Sequence, residues 1–426
     1  MTCSRLTPWW VALCYGSALS ASSATAADWQ WDWQSGIASN HTQASRFFAD
    51  AGSSNQWQSL LSLQLSEGNL RGTANLQHNQ SLDGASSAHH GSLSALYWQQ
   101  NLNVQADWEL TLGKMQLDWG VGYGYRPLNI FSDYQRHPVG IQVEQGAQLA
   151  MLTHFTADGT WQWLASRSHY SSIAPAQTQQ GLGMRRYWFD GVNEWQALLY
   201  WDQQRHWLAG ASLVTVIGES LELHGSVLYQ QQYLSPKLPA VSKPTSPITL
   251  PTQQHSWQTL LGFTWANSAG IQVIGEYWFD SRSWSTRDWQ QAQALAQLAF
   301  DNAAVNQSTV GGTTPTDAQR HAARYGYGYR HANIMQHTML LHWSASARFW
   351  QQMNDALASF STSIDLLLGP ADGSVVLTPR MHYQLRDDSS SLALSLSWRY
   401  YGGRSNAAFA NLGQHSVTWL GLTGRF

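Results

Sequence analysis

The 426-residue sequence has little charge, almost no cysteine and, beyond its first residues, no long apolar run. Charged residues make up 12% of the chain, about half the share usual in a soluble domain. The two cysteines, Cys3 and Cys14, both fall within the first 26 residues. The remainder therefore offers no disulfide framework, thiolate nucleophile or cysteine metal site. Lysine occurs only at Lys114, Lys237 and Lys243, which excludes a broad basic surface for nucleic acid. The longest later apolar stretch, Trp207 to Gly218, is twelve residues, short of the ~20 needed by a membrane-spanning helix.

The N-terminus predicts export. Arg5 forms a short basic region, Trp9 to Leu19 is uncharged and mostly apolar, and Ala24-Thr25-Ala26 supplies small residues for cleavage after Ala26 or Ala27. Residues 1–26 are read as a signal peptide and 27–426 as one domain. Leu13 before Cys14 lacks the small residue that a lipoprotein site requires. Removing Arg5 leaves 22 basic residues against 26 acidic, a net charge of −4.

What the chain does have is tryptophan, 24 of them, and alternation with period two. Trp257, Thr259, Leu261, Phe263 and Trp265 share one strand face. Eight residues between the tryptophans span roughly 26 Å, which suits a tilted strand with an aromatic near each side of an apolar band ~25 Å tall. In the C-terminal third, Met339, Leu341, Trp343, Ala345, Ala347 and Phe349 oppose His342, Ser344, Ser346 and Arg348. Similar faces put Arg380, His382 and Arg386 opposite Met381, Tyr383 and Leu385, and Arg399 opposite Trp398 and Tyr400. A mean hydropathy of −0.33 is compatible with a barrel, because only every second residue faces lipid.

The last strand, Ser416 to Phe426, carries Leu420 and Leu422 on one face and closes on Phe426. This ending resembles the assembly signal of bacterial outer-membrane β-barrel proteins of the porin-like kind, although Gly424 departs from the apolar residue usual at that place. Gly113 to Gly120 also looks like a strand found in porin-type proteins. The resemblance implies outer-membrane lipid and the barrel-assembly machinery as partners.

The fold expected is all-β, a transmembrane antiparallel up-and-down β-barrel of eighteen strands, with sixteen as the alternative count. Long connections at about 38–55, 80–90, 119–145, 171–182, 233–254, 282–335 and 403–414 all fall outside the cell if Trp29 to Trp33 and Met184 to Phe189 are strands. Asp158-Gly159 and Asp190-Gly191 are hairpin cues at the opposite, periplasmic end. Five prolines in 233–254 forbid a regular ladder there. In 282–335, Ser285 and Asp288 can cap a helix to about Ala304, with Trp289, Ala292, Ala296 and Phe300 on one face. Such a helix either folds inward as a constriction or covers the rim.

Candidate functional residues follow from this register. The lumen face carries Arg348, Arg380, Arg386, Arg399, His342 and His382, with Glu276 and Asp365 as acidic counterparts. Such rows set charge preference in a pore, or pair with one another and only stiffen the wall. Gly-Tyr-Gly-Tyr-Arg occurs at 122–126 and again at 326–330. Tyr123, Tyr125 and Arg126, with Tyr327, Tyr329 and Arg330, are read either as mouth elements that stack on a solute or as an aromatic girdle on a strand.

Catalysis and cofactors find little support. His342 with Ser344 is an unspecific pair among 16 histidines. His89-His90 and His321 lack metal-ligand spacing, and the glycines at 120–124, read as part of a strand, precede no helix that could hold a phosphate. The expected activity is passive diffusion of small polar solutes, saccharides or weak anions. A surface hydrolase and an adhesive barrel are the alternatives. Deleting Phe426 should reduce heat-modifiable barrel in the envelope fraction far more than an average loop Phe→Ala change. Normal surface levels of the truncated chain would contradict the assembly role.

Overall fold

The computed structural model describes residues 28–84, 86–131, 139–169, 178–244, 246–307, 315–387 and 391–425. The segment 1–26, expected to be a signal peptide, the terminal Phe426, and Asp388 and Ser389 lie outside them. Among the described residues, eighteen strands form a single sheet. The first six are β1 (Asp28–Thr42), β2 (Ser53–Glu67), β3 (Leu70–Ser81), β4 (Ser87–Asn101), β5 (Trp108–Met115) and β6 (Ala147–Thr156). Then come β7 (Gly159–His169), β8 (Thr178–Phe189), β9 (Asn193–Asp202), β10 (His206–Ile217), β11 (Leu221–Leu234) and β12 (Thr252–Ala266). The last are β13 (Ile271–Asp280), β14 (His337–Ala345), β15 (Phe360–Gly369), β16 (Ser374–Asp387), β17 (Ser391–Gly403) and β18 (Gln414–Arg425).

Sequential strands pair antiparallel, and Ile37 of β1 lies opposite Trp57 on one side and Leu420 of β18 on the other. That seam closes the barrel and leaves no unpaired edge. The count is eighteen, which puts the long connections at one end, and the sixteen-strand alternative is excluded. One end of the barrel carries the long connections, at 43–52, 82–86, 116–146, 170–177, 235–251, 281–336 and 404–413. The other end carries both strand termini and mostly short turns.

Asp190-Gly191 shows why the short turns were readable. Gly191 takes φ 98°, a conformation glycine adopts without steric cost. The Asn193 side chain and the backbone amides of Asn193 and Val192 donate to Asp190, holding its carboxyl well below the usual range. The connection between β14 and β15 is different. The strand stops at Ala345, and Ala347–Met353 forms a short helix. The expected alternation through Phe349 is therefore wrong, and Arg348 sits on an exposed helix beyond the wall instead of in the lumen.

The outward face is apolar. Trp257 and Trp265 are both exposed there, and Leu261 between them is 66% exposed. Inward residues of the same strand, Gln258 and Leu260, are buried. A buried leucine on a lumen face means that something fills the lumen. The filler is the 116–146 connection: Trp119, Leu128, Ile130 and Phe131 pack against Leu149, Leu198, Tyr200, Leu208 and Leu228 of the wall.

A second apolar cluster closes the loop end. The helix α1 (Thr286–Gln307) begins as expected, with Ser285 Oγ donating to Asp288 Oδ2 at 2.7 Å and Asp288 N donating to Ser285 Oγ. Trp289, Ala292 and Ala296 are buried on one face against Phe47 and Phe409 of other loops. Leu238 and Ile248 of the proline-rich connection join them, and the wall contributes Val376, Leu367 and Tyr401. This helix lies across the mouth. The constriction inside the barrel comes from the 116–146 connection.

Candidate functional site

The inward connection is anchored by β13, whose alternate residues Glu276, Trp278 and Asp280 face the lumen and are buried. Tyr123 N donates to Glu276 Oε1 at 2.5 Å, and Gly124 N donates to Glu276 Oε2 at 2.7 Å. His224 of β11 lies 3.2 Å from Oε1. A carboxylate removed from water is costly unless its lone pairs are met, and here backbone amides and an imidazole meet them. Glycine at 124 fits closely: a Cβ there would lie 2.6 Å from Leu340 Cδ2 and 3.1 Å from Glu276 Oε2, so a larger residue forces the Leu340 side chain to move.

Asp280 makes the second anchor. Tyr125 OH lies 2.6 Å from Gln258 Oε1 and 3.1 Å from Asp280 Oδ2, so its one proton is held between two acceptors. Arg282 Nη2 donates to the same carboxylate at 2.7 Å, and Asn333 Nδ2 at 2.9 Å. The network thus ties the inward segment to the long 281–336 connection above it.

Tyr123 also reaches a cluster on the adjoining strands β14 to β16. Its hydroxyl lies 2.9 Å from His342 Nδ1, which is 2.6 Å from Asp365 Oδ1. Arg380 Nη2 donates to Asp365 Oδ2 at 2.8 Å and to Tyr123 OH at 3.4 Å. One loop tyrosine therefore bridges an imidazole and a guanidinium, both held by the same carboxylate. Ser344 makes no hydrogen bond to His342, so the Ser/His pair is not assembled.

The sequence-predicted residues thus divide. Glu276, Asp365, His342 and Arg380 come together around Tyr123. Arg399 faces the lumen one strand further on, donates to Thr378 Oγ1 at 3.3 Å and covers the Tyr401 ring at 5.3 Å. His382 keeps the inward register but lies near the turn end. A register shift between Gln384 and Arg386 sets Arg386 opposite Leu392, out of phase with Arg380 and His382. The expectation that it continues the lumen row is corrected by that bulge.

The two Gly-Tyr-Gly-Tyr-Arg copies do different things, and neither is a strand or a girdle. The first runs inside the barrel without strand pairing, and its Arg126 turns back to Gly122 O and Asp118, at 2.7 and 2.6 Å. The second forms a 3-10 helix, Tyr325–Arg330, in the mouth cluster. There Tyr329 donates to Ala408 O at 2.7 Å, Arg330 lies over Tyr327 at 4.6 Å, and burial pushes the Tyr329 hydroxyl well above its usual pKa.

Residues not singled out from sequence also shape the lumen. Arg185 of β8 faces inward, donates to Gln162 and Gln196 and lies 5.5 Å from the Trp119 ring. His224 holds Glu276. Arg185 falls in the Met184 to Phe189 stretch read as a strand, where Arg185 and Arg186 are adjacent and the sequence does not distinguish the two faces.

Cavities lie on both sides of the Tyr123 cluster. One of about 330 Å³ is lined by Gly124, Tyr329, Asn333, Asp365, Thr378 and Arg399. Another, about 430 Å³, is lined by Tyr123, His342, Ser363, Arg380 and His382 toward the turn end. The polar cluster is thus the divide between two spaces within a closed wall. Among the described residues, no group of three or more His, Cys, Asp or Glu could hold a metal ion.

The architecture matches that of known barrels. Pseudomonas aeruginosa OccK8 (OprE) superposes with a TM-score of 0.55 at 10% identity, over 94% of this chain and 98% of that one. Acinetobacter baumannii OccAB1 gives 0.53 at 10% identity, over 94% and 96%. Pseudomonas aeruginosa OpdK, solved with vanillate, gives 0.50 at 9% identity, over 94% and 98%. No family model and no curated protein matches the chain. The fold is that of the eighteen-stranded outer-membrane porin barrels.

Changing Glu276 to Ala should release the inward segment. Two charge-assisted bonds vanish and His224 Nε2 loses its partner, leaving only Glu222 at Nδ1, a cost of roughly 3 kcal/mol or more. Hydrogen exchange at Tyr123 and Gly124 should accelerate strongly, while exchange in β13 and β14 stays slow. Unchanged protection at both amides would contradict the anchor.

Proposed function

We propose that the chain is an outer-membrane channel for passive diffusion of small polar solutes, with a preference for anions set at the Tyr123 cluster. The observation that carries this reading is the pair of cavities meeting at that cluster inside a closed wall. The apolar outer face supports lipid as the surroundings of the wall. Eighteen strands leave a lumen wide enough for a channel, and the 116–146 connection narrows it. The structural neighbours are Occ and Opd porins of the outer membrane. Nothing comparable favours a hydrolase, since Ser344 makes no hydrogen bond to His342 and the imidazole meets the loop hydroxyl of Tyr123 instead.

The charge preference rests unevenly on two arginines. Arg380 is compensated by Asp365 at 2.8 Å, whereas the partners of Arg399 are a hydroxyl and a ring. Arg399 therefore presents the less compensated field to a solute. A unit charge passing ~4 Å away in water gains about 1 kcal/mol, roughly fivefold in partitioning. OpdK was solved with vanillate, so a solute panel should include aromatic carboxylates beside neutral saccharides.

Planar-bilayer recordings test the proposal. The purified protein should give discrete conductance steps with anion preference. Arg399→Gln should lower that preference up to about fivefold, and Arg380→Gln should lower it less while loosening Tyr123. A wild-type protein that never conducts would contradict the channel. Equal effects of the two substitutions would contradict the compensated-pair account.

A further inference from the structure

A row of polar residues crosses the outside of the barrel where lipid-facing side chains are otherwise apolar. Lys114 of β5 pairs in register with Gln148 of β6, Gln148 with Arg167 of β7, and Arg167 with Gln180 of β8. Gln203, whose amide donates to Gln180 O, continues the row beyond β9. Their sequence neighbours Ala147, Leu149, Ser166, Ser168, Gln179 and Asp202 are buried on the lumen side, so the row faces outward. All five positions lie at the loop end of their strands.

Directly below, toward the middle of the wall, lies a second register row: Leu112, Ala150, Ala165, Leu182 and Trp201. Two adjacent alanines between larger side chains leave a trough. The trough and the polar row form one open groove of about 830 Å³, lined by Lys114, Gln148, Ala150, Ala165, Arg167 and Leu182. Among the described residues, no carboxylate lines it. Lys114 Nζ donates to Leu93 O and Gln145 Oε1, at 2.5 and 2.9 Å, which leaves one ammonium proton unused. Arg167 is exposed and has no hydrogen bond or ion pair among the described residues.

We infer that this groove seats a phosphate-bearing, acylated lipid of the leaflet at the loop end. Lys114 and Arg167 flank the phosphate and an acyl chain lies over Ala150 and Ala165. The inference rests on the membrane reading given above. Two strands apart, the cations are separated by about 10 Å, with Gln148 between them as a further donor. In a bilayer, an unpaired guanidinium at the edge of the apolar band needs an anion at headgroup level. The charge complementarity and the continuity of the trough with the apolar wall both point to a single amphiphile.

Native mass spectrometry of the detergent-purified barrel, incubated with diphosphorylated lipid A, tests this. The wild-type chain should retain lipid A, and its dephosphorylated form much less. K114Q/R167Q should lower retention roughly 30-fold, the loss of two surface cations facing an anionic headgroup. A150L/A165L should lower it by filling the trough, with heat-modifiability and conductance unchanged in both variants. Equal retention in conducting variants would overturn the groove and leave the channel reading intact. Complete displacement of lipid A by excess inorganic phosphate would also overturn it, since an ion alone would then suffice. If the wild-type chain failed to insert into bilayers, the channel reading and the groove would fall together.

Discussion

The organisation of the lumen depends on one buried carboxylate. Glu276 is removed from water at the inner wall, and the amides of Tyr123 and Gly124 come to it from a loop that would otherwise extend from the barrel's mouth. Neither partner is stable in place alone: the carboxylate lacks solvation, and the loop backbone lacks acceptors. Together they fix where the chain crosses the lumen, and hence where Tyr123 meets His342 and Arg380. Asp280, four residues further along the same face, binds the Tyr125 hydroxyl. Strand β13 is thereby both a piece of wall and the mount for the constriction.

Filling the lumen with protein changes what the wall must be made of. Against water, an inner face needs polar side chains. Against Trp119, Leu128 and Phe131 it needs apolar ones, and Leu149, Leu198 and Leu208 supply them. The barrel is therefore two-faced around its circumference. Strands β6, β7 and β9 to β11 set apolar residues under the inward connection, while β15 to β17 keep Asp365, Thr378, Arg380 and Arg399 toward the open spaces.

This division explains what was legible in the sequence. Strict alternation in β12 and β15 to β17 revealed their register, and with it Asp365, Arg380 and Arg399. The capping pair Ser285 and Asp288 marked α1, because that signal is local. Runs such as Ala197-Leu198-Leu199-Tyr200-Trp201 carry no alternation, so the identity of what lay inside them was hidden. The pairing of Glu276 with residues 153 positions away left no local trace. Arg348 and Arg386 were misplaced for a related reason. Period-two patterning persists through a helix start or a bulge, whereas the backbone register does not.

The mouth cluster and the inward connection are linked through Asp280, Arg282 and Asn333, so closure at the loop end and narrowing within share one support. The most direct test is the position of the inward segment itself. The chain after residue 26 contains no cysteine, so paired thiols report without background. In Gly124→Cys/Leu340→Cys, shortening the side chain at 340 makes room for the one added at 124. The folded, membrane-inserted protein should be cross-linked by a short bifunctional thiol reagent before any denaturation. Cross-linking absent from the folded protein, or appearing only after unfolding, would place the loop elsewhere and contradict the account.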